Sequence, residues 1–173
     1  MPDVVSDEGI LAILEAGRWA PSWTNTQPWD FILVRDPVTK DKICDIAKNT
    51  LLIVNGGSIE GCSCIVVVCV DPRRDPYHYI EDGAVATQNM ALAAHSLGLS
   101  SYWAGVFDLG KANGSMEQKV RELLGVPDPI RVVSILPIGA PAYGKAGERK
   151  SLRDLLHYDK YGNRSDYLKL QHD

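Results

Sequence analysis

Arg18-Trp19-Ala20-Pro21-Ser22-Trp23-Thr24-Asn25-Thr26-Gln27-Pro28-Trp29-Asp30-Phe31 joins a predicted helix to a predicted strand, and its reading decides the fold. Trp19, Trp23 and Trp29 sit with Pro21 and Pro28 among the small polar residues Ser22, Asn25 and Gln27. Proline fixes its own φ and restricts the residue before it, so the segment is stiff. A stiff loop that offers Ser, Asn and Gln beside aromatic rings suits a flat heteroaromatic ligand needing hydrogen bonds along its edge. The competing reading is a packed connector whose tryptophans belong to the core. The residues alone leave both open.

On the N-terminal side, Ile10, Leu11, Ile13 and Leu14 form an apolar stripe at helical spacing. Ser6 is the expected N-cap, with Asp7 and Glu8 suited to the first turn. On the other side Phe31-Ile32-Leu33-Val34 reads as a buried strand ended by Asp36-Pro37. Residues 38–48 read as a second helix with Val38, Ile43, Ile46 and Ala47 inward, and Asn55-Gly56-Gly57-Ser58 as a mobile loop. A strand is expected over residues 64–70, then a long helix from about Ile80 to Leu97 closed by Gly98. Small or apolar residues surround most of that helix, which predicts a central, buried position. Tyr102 to Phe107 reads as a strand, 115–124 as a helix closed by Gly125, and Val132 to Ile138 as a last strand. The segment 144–173 is polar and poor in core residues, an arm attached to a single domain spanning 1–173. Strands interleaved with helices indicate a sheet covered by helices, with the direction of pairing left undecided.

At 173 residues the chain suits one domain. A net charge of −4 argues against a nucleic-acid surface. No apolar run approaches the ~20 residues that span a bilayer. The acidic N-terminus lacks the build of a signal peptide, so a cytoplasmic location is expected. Cys44, Cys62, Cys64 and Cys69 fit no zinc or Cys-x-x-Cys pattern. Cys62 and Cys64 are expected on one face of a buried strand as core residues, with a cysteine-held metal as the rival reading. No Ser-His-Asp, Walker or GxGxxG pattern appears, and His78, His95 and His157 show no pairing that suggests a base.

Arg18, Ala20, Pro21, Ser22, Asn25, Gln27, Pro28, Trp29 and Phe31 together resemble the flavin-binding signature of the FMN-dependent nitroreductase family. Asp82 to Leu99 resembles that family's long dimer-core helix, and Trp103-Ala104-Gly105 the strand passing the flavin ring. Leu136-Pro137-Ile138-Gly139 and Arg149-Lys150-Ser151-Leu152 resemble its last core strand and closing segment, so the likeness covers nearly the whole chain. The resemblance implies an α+β fold with a central, mostly antiparallel sheet between helices, and an intertwined homodimer with FMN at its interface. It implies NAD(P)H as electron donor through flavin N5 and a nitroaromatic, quinone or similar small molecule as acceptor, with no catalytic side chain. Pro21, Ser22, Trp23 and Asn25 would meet the flavin from one subunit, with Arg18 beside them. Trp103, Ala104 and Gly105 would line its other side, Asp82 would approach its edge, and Arg149 with Lys150 would meet the phosphate. Arginine suits that role through its two parallel donors.

The chain departs from the family pattern at the phosphate. Five residues precede Ser6, none basic, and Gly147 stands where a lysine is common. Three explanations stay open: a start upstream of Met1, a grip taken over by Arg149, Lys150, Arg18 or Lys145, or a weakly held cofactor. The last makes a flavin-binding protein with little turnover the alternative to an enzyme.

Overall fold

The computed structural model describes residues 5–50, 59, 61–107, 114–141 and 147–164, the side chains of 49 and 50 apart. By contact density it divides into a unit spanning Met1–Ala142 and a unit spanning Tyr143–Asp173.

The first unit begins with α1 (Asp7–Arg18), capped as expected by Ser6, whose side chain accepts the Gly9 N–H. After the loop come β1 (Trp29–Val34), α2 (Pro37–Thr50) and β2 (Cys64–Val70). Then follow α3 (Tyr79–Ser96), the short strands β3 (Ser100–Ser101) and β4 (Ala104–Gly105), α4 (Met116–Leu124) and β5 (Arg131–Gly139). Left-handed Gly98 (φ +75°) and Gly125 (φ +67°) follow α3 and α4, a conformation only glycine adopts without cost. The sheet runs β1-β2-β5-β3, with β4 also on β5, and every pairing is antiparallel. The expected α+β architecture is therefore present.

Alternation along β2 divides the core. Ile65, Val67 and Cys69 join Ile43 and Ala47 of α2 and Val120 of α4. Cys64, Val66 and Val68 join Ile10 and Ile13 of α1 and Met90 and Ala94 of α3. Strand β5 follows the same rule from Ile135 to Ile138, until an extra residue, Val133, enters opposite the Val68–Cys69 step. This bulge reverses the parity, so Val132 joins the α2/α4 side while Val133 packs with Trp29 and Ala86. Helix α3 sits close to the sheet because Gly83 carries no side chain: a Cβ there would lie 2.9 Å from methyl carbons of Val70 and Val133. The buried hydroxyls of Thr87 and Ser134, 2.7 Å apart, satisfy each other at the same contact.

Several expectations are corrected. Leu11, Val38 and Leu33 are exposed: the first lies on the outer side of α1, the second in the first turn of α2, the third on the edge strand β1. Cys62 and Cys64 do not share a face; Cys62 packs with the α2/α4 side and Cys64 with the α1/α3 side. Cys62 precedes the first residue of β2, where period two does not hold. Of the strand expected over Tyr102–Phe107 only Ala104–Gly105 forms; a first piece, Ser100–Ser101, precedes it in the same register, with a break at Tyr102–Trp103. Tyr102 donates to the Pro137 carbonyl, and proline has no N–H to return the bond. Helix α3 is covered on one side only, with Val85, Leu92 and Leu97 exposed in the single chain. The loop expected at 55–58 lies outside the described residues.

The second unit contains α5 (Leu152–Leu155), capped by Ser151, and a tight turn in which His157 accepts the Gly162 N–H at 2.7 Å. Its described residues include none that is buried. No helix among the described residues is long and apolar enough to cross a membrane.

Candidate functional site

Between α1 and β1 the chain makes a single 3₁₀ turn, Trp23–Asn25, inside the proline-bounded segment. Three non-glycine residues there have positive φ: Thr24 at 46°, Asn25 at 61° and Gln27 at 48°. For asparagine this is tolerable, but for a β-branched threonine it is an outlier that surrounding structure must enforce. Enforcement comes from a ring of hydrogen bonds. Asn25 N–H donates to the Ser22 carbonyl and Thr26 N–H to the Trp23 carbonyl, both at 3.0 Å. Gln27 N–H donates to Ser22 Oγ at 2.9 Å, and Gln27 Nε2 to Asn25 Oδ1 at 3.1 Å. The backbone donors of Asn25 to Gln27, whose positions invite a role toward a ligand, are thus engaged within the loop itself.

The tryptophans separate the two readings of this segment. Trp29 is 7% exposed and packs in the core, whereas Trp23 is 45% and Trp19 71% exposed. The loop therefore displays Trp23 rather than burying it. Its indole stacks on His78, centroids 5.1 Å apart, with Tyr77 edge-on at 6.1 Å. Trp23 N–H donates to Asp82 Oδ1 at 3.0 Å, tying the loop to the first turn of α3.

Asp75 and His78 belong to this site although the sequence pattern did not single out a partner for either. Asp75 is fully buried and accepts the N–H groups of Tyr77 and His78 at 2.8 and 3.0 Å. The signal available in the sequence is Asp75-Pro76 just ahead of α3, an aspartate placed to bond backbone two residues on. Burial alone would raise the Asp75 carboxyl, but those two amides, with His78, hold it below the usual aspartate range. Asp82 goes the other way: burial raises its carboxyl against the pull of the Trp23 amide, and Asp75 raises it further.

Of the other candidate residues, Pro21 and Asn25 are exposed and Ser22 half-buried on the same loop. Arg18 lies against Glu15 through two bonds and over the Trp19 ring at 4.9 Å. Trp103 and Gly105 are exposed and Ala104 is buried on the strand edge beyond β5, so they do not share a strand neighbour with β1. Arg149 and Lys150 are exposed in the second unit.

The geometry can be set beside known proteins. The sequence pattern of the Nitroreductase family matches residues 1–140. A protein of Archaeoglobus fulgidus, provisionally named NADH dehydrogenase/NAD(P)H nitroreductase, is 38% identical over 164 residues, 91% of this chain and 88% of that protein. An FMN-dependent nitroreductase from Clostridium difficile superposes with a TM-score of 0.80 at 25% identity, over 93% of this chain and 92% of that one. An NADPH:FMN oxidoreductase from Vibrio harveyi, complexed with NAD+, shares the fold with a TM-score of 0.73 at 23% identity, over 93% and 71%.

Proposed function

This chain belongs to the nitroreductase family, and on that premise we propose that it is an NAD(P)H-dependent oxidoreductase that binds FMN and reduces a nitroaromatic, quinone or similar small acceptor. The observation that carries the reading is the strained Ser22–Gln27 loop, held rigid from within while it leaves Trp23 and Asn25 exposed.

The donor set fits a flavin, whose ring edge is rich in acceptors. Ser22 Oγ accepts from Gln27, which leaves its O–H free to donate, and Asn25 accepts through Oδ1, which leaves its Nδ2. On the far edge of the sheet, Tyr102 and Val106 direct their N–H groups at β5. Ladder alternation then turns the amides of Trp103 and Gly105 outward. A Cβ built on Gly105 meets nothing within 4 Å, so a flat ring has room to approach that backbone.

Strands β1 and β4 are separated by β2 and β5, three strand spacings or about 14 Å. The two segments adjoin opposite edges of the sheet, and the proposed ring is held between two copies of the chain. The exposed Val85 and Leu92 of α3, with Leu11 of the adjoining α1, support a homodimer on this side. By the resemblance Arg149 and Lys150 are the proposed cations for the phosphate, while Arg18 is balanced by Glu15.

FMN, when bound, would supply two-electron redox chemistry. The chain's own residues bind and orient: Trp23 walls the site, Ser22 and Asn25 fix the ring edge, and Asp82 holds the loop through the Trp23 amide. The test is reconstitution with FMN followed by anaerobic addition of NADH or NADPH. Bleaching of bound flavin within seconds is expected. A protein that takes up no flavin overturns the proposal, and a yellow protein that neither nucleotide bleaches identifies a flavin carrier instead.

A further inference from the structure

Beneath the loop, Asp75 and Asp82 are 0% and 5% exposed. Each uses Oδ1 for backbone amides: Asp75 for Tyr77 and His78, Asp82 for Trp23. Each also has a buried Oδ2 that no N–H or O–H of the described residues reaches. The Asp82 N–H donates to the His78 carbonyl at 2.9 Å and the His78 N–H to Asp75 Oδ1 at 3.0 Å, so one turn of backbone brings the two carboxyl groups together, and each acts on the other. A buried acceptor without a donor is costly, and two adjacent buried carboxylates repel. One proton removes both penalties, since it makes one carboxyl a donor to the other.

We infer that Asp75 and Asp82 hold a single proton between their Oδ2 atoms, and that this proton positions Asp82 Oδ1 on the Trp23 amide, making the pair positioning residues for the Ser22–Gln27 loop. The directions of titration agree: Asp82 is the member pushed up and Asp75 the member held down. The other groups acting on the pair are few. His78, whose Nδ1 is 3.9 Å from Asp75 Oδ1, acts on both carboxyls from the turn before α3, and the loop contributes the Trp23 amide. The nearby Arg73 is committed to Asp71 through a side-chain ion pair.

The consequence is directional. While the proton is present, two facing carboxyl groups attract. When pH rises far enough to remove it, two buried carboxylates face each other and the pair is driven apart. Asp82 is the member free to move, because Asp75 is anchored by two amides and Asp82 by one. The loop then loses its tie to α3. The effect on flavin rests on the function proposed above; the shared proton does not.

The test is a carboxyl NMR titration of the cofactor-free protein labelled with ¹³C-aspartate, with the Trp23 amide followed in parallel. One aspartate is expected to keep its proton well above the ordinary aspartate range, with the Trp23 amide shift following the same transition. In Asp82→Asn the side-chain amide replaces the proton, so the raised transition disappears and the Trp23 amide becomes insensitive to pH. In Asp75→Asn the raised transition also disappears. Wild-type aspartates that all titrate in the ordinary range overturn the shared proton, as does a raised transition that survives in both variants. A raised transition that the Trp23 amide ignores overturns the positioning role. Failure of the protein to bind FMN at any pH counts against the proposed function and leaves these titrations readable.

Discussion

Ser22 Oγ accepts the backbone N–H of Gln27 at 2.9 Å, closing the candidate flavin loop on itself across five positions. Ser22→Ala removes that acceptor and, on the proposed function, also an O–H donor to the ring. The loop is partly solvated, so water replaces part of the loss, and a stability cost of about 0.5–1.5 kcal/mol is expected. FMN affinity should fall roughly tenfold, the equivalent of one lost hydrogen bond of about 1.4 kcal/mol. Thermal unfolding and flavin titration read the two effects separately.

Thr24 carries the clearest backbone strain of the described chain, a β-branched residue at φ 46°, ψ 23°. Glycine reaches that region without steric cost. Thr24→Gly should therefore raise stability, by about 1 kcal/mol once the added freedom of the unfolded chain is subtracted. A looser loop is less prepared for its ligand, so FMN affinity should drop while the melting temperature rises. Parallel losses of both would show that the loop conformation is not strained in the folded protein.

How much of this could be read in advance depended on whether a residue's role was local. Strand β2 is a run of β-branched residues ended by Asp71-Pro72, and its observed ends at Cys64 and Val70 are those expected. The Ser6 cap of α1 and the Gly125 stop of α4 were equally readable, because each acts on its own helix. The break at Tyr102–Trp103 was hidden because its cause, Pro137, is contributed by another strand. The Arg18–Phe31 signature pointed to a candidate ligand loop, but not to its internally bonded amides, nor to the packing of Asp75 and His78 against it. Those two reach the loop only through the packing of α3, which no local pattern encodes.

Glu117 and Arg131 form a buried ion pair, with side chains 4% and 10% exposed and bonds of 2.6 and 2.7 Å. Glu117 Oε1 also accepts the Val132 N–H, and the Arg131 guanidinium lies 4.4 Å over the Phe107 ring. Such a pair contributes little net energy intact, but removing one partner leaves a buried charge uncompensated. Glu117→Gln should cost about 3–5 kcal/mol in urea unfolding. The double variant Glu117→Leu, Arg131→Met should cost less than that single change. Equal or greater loss in the double variant would mean the pair itself stabilises the fold.

Burial pushes the Cys69 thiol up to about 12. At pH 8 its reactive thiolate is then about one part in ten thousand. Ellman's reagent should leave Cys69 and the buried Cys64 untouched in the native protein, with half-buried Cys62 reacting first. In denaturant all four cysteines of the sequence should react. Rapid native labelling of Cys69 would show that β2 opens far more readily than its packing implies.

At the end of α1, Glu15 is held at about 2, below its ordinary 4.5, by hydrogen bonds from Arg18 and then from Trp19. The folded value lies under the unfolded one, so the folded state binds this proton more weakly. Its contribution is therefore fully present above about pH 4.5 and is lost as pH falls toward about 2. The group is exposed, so the contribution is screened and salt-sensitive. The melting-temperature difference between wild type and Glu15→Gln should stay constant from neutral pH down to the ordinary glutamate range, then shrink as the wild-type carboxylate is protonated. A difference that persists unchanged to the acid limit would show that Glu15 acts on α1 through packing and not through its charge.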